Sequence, residues 1–395
     1  MNILLKTTLY FGHLHSRSGI ERIFIFAFFV LGVALFNSGC NSKKFYTPAK
    51  IDGQIIFSQS FSAPIIYNNR YGATLKDGSL LTQNGIIPMN KQARNLIPKN
   101  AKFINESGGY YIFAKGCESL VLVRVSRLDE EAFDSGTCPI KEENSTCTED
   151  EMEVEVGSCV ITASLKDDLL AFVAVDNSMN IVSLPSKESK FSQKGSSVIA
   201  VNQLVAAPIF LDSLVVFPSL DGRLLVVSTQ NYETQRNIIV SSEKFFNNII
   251  YLQGDDSRIF AATPKKLISI ISGQQFSYTE ELKDIIFYNG YLYALTLEGK
   301  IAQLDHTLRE VNTRKFEYAS LEGMIRADNT LYTYEKNGSF VIALNLSNFS
   351  YNVYQAQDAF GKLMKNKLNF YAKNIFYYDR YYFDFAKFAD SITSK

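Results

Sequence analysis

Residues 63–81 read APIIYNNRYGATLKDGSLL, and residues 207–225 read APIFLDSLVVFPSLDGRLL. The two stretches align without a gap and share seven of nineteen positions, with Ala-Pro-Ile at the start and Asp-Gly-x-Leu-Leu at the end. A sentence written twice at long range marks either a duplicated domain or a short unit copied many times, and a short unit leaves further copies between and beyond the two. Its core is a β-rich run, a turn, any residue, and an apolar residue that opens a second β-rich run. Gly299-Lys300-Ile301 and Gly338-Ser339-Phe340 fit it, and looser versions end at Leu120, Ile181 and Leu267. The apolar anchors fall at 80, 120, 181, 224, 267, 301 and 340, at intervals of 40, 61, 43, 43, 34 and 39.

Each unit reads as a hairpin. Tyr, Val, Ile, Phe and Leu crowd both sides of an Asp-Gly, Glu-Gly or Asn-Gly turn, where glycine supplies the positive φ of a tight turn. GYLYALTLEGKIAQLD at 290–305 is the clearest case. Helical i, i+3, i+4 spacing is absent from almost the whole chain, so an all-β fold is expected. A period near forty with four short strands per unit predicts a β-propeller of four-stranded blades spanning residues 51–390. A hairpin candidate at 366–385 follows the seventh anchor, which makes eight blades the expectation and seven the alternative. Ten of the nineteen residues from Phe370 to Phe388 are aromatic. A pleated, buried surface that closes the ring against the N-terminal KIDGQIIFSQSF accounts for them better than a ligand-stacking platform or a membrane belt.

The first forty residues differ in kind. IFIFAFFVLGVALF, 23–36, is an uncharged apolar run preceded by Arg17 and Arg22. It is too short to span a bilayer and suits the core of a secretory signal. Ser38-Gly39-Cys40 resembles the lipobox of bacterial lipoproteins, which implies cleavage after residue 39 and acylation of Cys40. Three acyl chains at roughly 0.8 kcal/mol per buried methylene would make attachment permanent. Residues 40–50 would then form a lipidated tether, and Asn41 resembles the residue that directs such proteins to the outer membrane, facing the periplasm. Without residues 1–39 the chain holds 37 basic against 39 acidic residues, and no basic patch for nucleic acid appears.

The long interval holds an acidic insertion, placed at 128–158. Between Asp129 and Glu155 stand eleven acidic residues and one Lys, with Cys117, Cys138, Cys147 and Cys159 around or within the segment. An even cysteine number in an exported chain favours disulfides, and no CxxC spacing occurs. Of three possible pairings, Cys117–Cys159 with Cys138–Cys147 is preferred, one bridge stapling the base of the insertion and the other its tip. Calcium is the sharper alternative for the carboxylates, but an ordered Asp-x-Asp-x-Asp-Gly loop is missing. Asn144 carries an Asn-x-Thr acceptor pattern within EENST, which resembles the acidic sequon of bacterial N-glycosylation, and Asn337 a second within EKNGS.

Catalytic groups are scarce. His13 and His15 lie in the expected signal, which leaves His306 alone, and no phosphate-binding glycine loop opens a helix. No catalytic, metal or cofactor residue is assigned.

DIIFYNGYLYALTLEGKIAQLD (284–305) and APIFLDSLVVFPSLDGRLLVVS (207–228) resemble the repeats of pyrroloquinoline-quinone-type propellers. With eight blades and a lipobox the chain is similar to the BamB family, propeller lipoproteins of the outer-membrane β-barrel assembly machinery. That resemblance implies a membrane-anchored, non-enzymatic scaffold with envelope-protein partners. The quinone-binding relatives dock their cofactor on Trp motifs, and this chain has no Trp, so no quinone is expected. The alternative is a small-ligand binder or enzyme that uses the central channel.

Overall fold

The computed structural model describes residues 44–125, 151–255, 257–365 and 367–388. Met1–Phe45 and Tyr46–Lys395 are separate compact units, and the fold described here lies in the second.

The repeat is a propeller blade, and there are eight. Blade 1 holds β3 (Ile65–Asn68), β4 (Gly72–Leu75), β5 (Leu80–Thr82) and β6 (Ile86–Ile87). Blade 2 holds β7 (Lys102–Ser107), β8 (Tyr110–Lys115), β9 (Ser119–Arg124) and β10 (Glu151–Glu155), and blade 3 holds β11 (Val160–Lys166) to β14 (Ser189–Lys194). Blade 4 runs from β15 (Ile209–Phe210) through β16 (Leu214–Pro218) and β17 (Arg223–Ser228) to β18 (Thr234–Ile239). Blade 5 runs from β19 (Tyr251–Asp255) to β22 (Gln274–Thr279), and blade 6 from β23 (Leu282–Tyr288) to β26 (Glu310–Lys315). Blade 7 holds β27 (Leu321–Ala327), β28 (Thr330–Glu335), β29 (Phe340–Asn345) and β30 (Tyr351–Asp358). Blade 8 takes β31 (Asn369–Ala372), β32 (Ile375–Tyr378) and β33 (Tyr381–Asp384) from the C-terminal side and β2 (Gln59–Ser60) from the N-terminal side. In addition β1 (Gly53–Phe57) pairs in parallel with β30 as a fifth strand of blade 7.

All seven anchors lie on third strands, from Leu80 on β5 to Phe340 on β29. The second and third strands are covered on both faces by neighbouring blades, so they read as unbroken apolar runs such as Leu-Leu-Val-Val in β17. The outermost strands are not covered, and β18 and β26 are almost wholly exposed and polar. Eight hydrophobic clusters result, one between each pair of adjacent blades. Stability is accordingly distributed over nearest-neighbour interfaces.

The repeated glycine has a structural cause beyond its turn. Gly222 has φ +85°, and its carbonyl accepts the N–H of Val240 at 2.9 Å, where the connector to the next blade crosses the turn. A Cβ there would stand 2.6 Å from the Ser241 carbonyl oxygen. Gly299 repeats this with Phe316, whose N–H lies 2.9 Å from the Gly299 carbonyl.

The aromatic C-terminal run closes the ring, as its composition predicts. Phe370, Phe376, Tyr377 and Tyr378 are buried, and Phe61 stacks on Tyr382 with centroids 4.8 Å apart.

Two expectations about the insertion need correction. Residues 151–155, counted within it at 128–158, form β10 and pair with β9 from Glu151↔Val123 to Glu155↔Ser119. Cys117 and Cys159 are bonded, but at the opposite end of β10 from the point where residues 126–150 leave the blade. The bridge therefore ties the turn between β8 and β9 to the connector after β10. It does not staple the base of the insertion, because an antiparallel strand of five residues separates the two ends.

Candidate binding surfaces and the central channel

Innermost strands line a channel of about 1120 Å³, bordered mainly by blades 1, 6, 7 and 8 and by residues 201–204. Its chemistry comes from the place where the two copies of the repeat diverge. Asn69-Arg70-Tyr71 in the first copy aligns with Ser213-Leu214-Val215 in the second, where Leu214 and Val215 open β16. In blade 1 the second strand starts later. The Asn69 carboxamide oxygen accepts the N–H groups of Tyr71 (2.7 Å) and Gly72 (2.9 Å), and its amide donates to the Phe103 carbonyl at 2.8 Å. This turn puts Arg70 and Tyr71 on the channel wall instead of in a sheet.

Arg70 crosses to blade 6, where Nη2 stands 3.6 Å from Asp284 Oδ1, and its guanidinium lies 5.4 Å over the Tyr251 ring. Asp284 also accepts the N–H groups of Ile285 (2.9 Å) and Met324 (3.1 Å). Burial pushes its carboxyl above the ordinary carboxylate range, with Arg70 pulling the other way. Nearby, Glu322 accepts from Lys283 at 3.0 Å and Lys336 at 2.8 Å. The connector between blades 3 and 4 reaches across: Gln203 Nε2 donates to Asn68 Oδ1 at 2.9 Å, and Ala207 N–H donates to the Tyr71 hydroxyl. Tyr371, also on the wall, has a buried hydroxyl with no hydrogen-bond partner, and burial holds its pKa well above the usual value. These charges couple the inner wall across the ring. Asp284→Ala, which strands Arg70 and two backbone N–H groups, is expected to lower stability by about 2 kcal/mol. In a double-mutant cycle with Arg70→Met the second substitution should recover part of that loss in urea denaturation.

Antiparallel connectivity gives the ring two unlike faces. Turns between first and second strands, and between third and fourth, leave one face. Asp167, Asn289, Asp328 and Lys373 occupy left-handed positions there, with φ between 48° and 51°, and β9 ends and β10 begins on the same side. Turns between second and third strands, and the connectors from blade to blade, leave the other.

Cys117 and Cys159 are brought together as expected. Cys40, Cys138, Cys147 and Asn144 lie outside the described residues. Asn337 sits half-buried in the turn between β28 and β29, where Glu335 accepts its N–H at 3.2 Å. Ser339, the hydroxyl partner in that acceptor pattern, is fully buried and donates to the Met364 carbonyl. His306 is exposed on a blade 6 turn. Among the described residues no three His, Cys, Asp or Glu side chains gather as a metal site, and no helix is long and apolar enough to cross a membrane. The Arg70–Asp284 pair was not identified from sequence. Its one visible trace is Arg70 standing where the second copy has an apolar strand residue.

Eight four-stranded blades closed by strands from both ends of the unit define a BamB-like propeller. BamB from Moraxella catarrhalis aligns with a TM-score of 0.52 at 12% identity, over 86% of this chain and 99% of that one. The computationally designed Ika8 protein aligns at 0.55 and 9% identity, over 84% and 99%. No family model matches the sequence. The plasminogen-binding protein PgbB of Helicobacter pylori strain J99 / ATCC 700824 is 38% identical over 393 residues, covering 91% of this chain and 71% of the relative. PgbB of strain ATCC 700392 / 26695 matches with the same identity and coverage. The chain belongs to the PgbB family.

Proposed function

We propose that this chain is a lipid-anchored protein of the bacterial envelope that holds a protein ligand on its propeller, and that the ligand is plasminogen. The observation that carries the proposal is the 38% identity to a protein named for plasminogen binding, extending over 91% of the chain. Two features agree with a binding role over catalysis. The charged groups Arg70, Asp284, Lys283 and Glu322 in the channel are engaged with one another, and the turns at the ring faces are where a contact surface disturbs the blade interfaces least. A role in outer-membrane barrel assembly is the second reading. It draws on likeness of fold to BamB, and fold alone does not carry function.

Full-length protein extracted in detergent and immobilised should bind plasminogen saturably. Absence of binding by a chain whose circular dichroism is that of a folded β protein would sink the plasminogen assignment. Near-stoichiometric recovery of a barrel-assembly component from solubilised envelopes would favour the second reading. For the anchor, Cys40→Ala should release the protein from the membrane fraction or stall it as precursor.

A further inference from the structure

We infer that the face formed by the blade-to-blade connectors docks against a lipid bilayer, leaving the opposite, more polar face turned outward toward protein ligands. The inference rests on the lipid-anchor reading of Cys40.

Exposed large apolar side chains are divided unequally between the faces. Ile199 (70% exposed), Phe245 (47%), Phe246 (53%), Leu297 (53%), Tyr318 (53%) and Phe360 (76%) all lie in connectors or in turns between second and third strands. Among the described residues, no turn of the opposite face exposes such a side chain. A patch of this kind on one side of a ring marks an interaction surface.

Two of these loops are built to present their aromatics. In the connector from blade 7 to blade 8, Asp358 accepts the N–H groups of Phe360 (2.9 Å) and Lys362 (3.0 Å), and its own N–H donates to the Lys362 carbonyl at 3.0 Å. The Met364 carbonyl is held by the Tyr334 and Ser339 hydroxyls. Phe360 is thus fixed at the tip of a hydrogen-bonded turn and still points into solvent. Phe246 has φ +51°, an uncommon conformation for a bulky residue, and its N–H donates to the Ala200 carbonyl at 3.0 Å, clasping two connectors together.

Lysines beside two of these loops favour lipid as the occupant. Lys362, Lys365 and Lys367 alternate with Phe360, Leu363 and Leu368, and Lys244 precedes Phe245 and Phe246. Apolar side chains that enter the headgroup boundary, beside lysines that reach its phosphates, are the pattern of interfacial binding. The path of the chain agrees. Tyr46 packs edge-on against Phe316 (6.1 Å) and Phe340 (6.0 Å), both at this same face. Cys40 is six peptide steps before Tyr46, a reach of at most about 20 Å. A lipid on its sulfur would hold the connector face, and not the other, close to the membrane.

The chain has no Trp, so one introduced residue is an unambiguous fluorescence reporter. Full-length Phe360→Trp, Phe246→Trp and, on the opposite face, His306→Trp would be reconstituted into vesicles of phosphatidylcholine and phosphatidylglycerol. Replacing the lipids by brominated analogues should quench the first two about two-fold, as expected of side chains at the headgroup–acyl boundary, and leave the third nearly unchanged. Equal quenching of all three, or none, overturns the inference. Reporters unquenched in vesicles but shielded from aqueous acrylamide in native envelopes also overturn it, and assign the face to a protein. The mass of the N-terminal peptide tests the anchor separately. An unlipidated Cys40 with the first two reporters still quenched would overturn the anchor reading and leave the face assignment standing.

Discussion

Phe57→Ala is expected to lower the free energy of unfolding by about 3–5 kcal/mol, the range for emptying a fully buried aromatic site. Phe57 is 0% exposed and ends β1, the parallel strand on blade 7. Its ring meets Phe376 of blade 8 at 5.9 Å and Phe383 at 5.4 Å. It stands where the strands that close the circle meet, so the cavity opens at the seam between blades 7 and 8. The chain crosses this seam twice, between β30 and β31 and between β1 and β2, and the two sheets are held against each other there by such contacts and by the short pairing of β2 with β33. The loss should appear as a lower urea midpoint and as faster proteolysis of the segments on both sides of the seam. A change under about 1 kcal/mol would mean that the ring does not depend on this closure.

Removing the Cys117–Cys159 bridge as Cys117→Ser with Cys159→Ser is expected to cost about 4 kcal/mol by loop entropy, since 42 residues separate the two positions. The effect acts mainly on the unfolded chain, which regains the freedom that the bridge denies it. A local consequence should accompany it. Strand β10 is an outermost strand with Val154 as its one buried residue, held to the blade by pairing with β9 and by Glu153, which accepts from Lys115 at 3.1 Å. Without the bridge its amides should exchange with deuterium sooner than those of β8 and β9. Equal denaturation midpoints with and without reductant would contradict the prediction.

Most of the fold was legible because its causes are local. The Asp-Gly turns at 77–78 and 221–222 reflect steric limits on one residue, and the apolar runs that follow reflect strands buried on two sides. The aromatic run from Phe370 to Phe388 announced a buried closing sheet because few other environments accept so many rings on successive strands.

The functional features were less legible because they join distant parts of the chain. Arg70 and Asp284 are 214 positions apart and meet because a ring of eight blades brings blades 1 and 6 to one channel. Nothing within either segment encodes that distance. Cys159 was correctly matched to Cys117, yet the bridge lies at the far end of β10, because the acidic Glu151–Glu155 reads as loop until β9 pairs with it. The two faces were hidden in the same way: Ile199, Phe246 and Phe360 are isolated apolar residues in three separate connectors. Sequence by itself determined the blade, its turn and the closure, since each follows from short-range sterics. Which side chains share a channel, and which loops share a face, was decided only when eight nearest-neighbour interfaces closed into a circle.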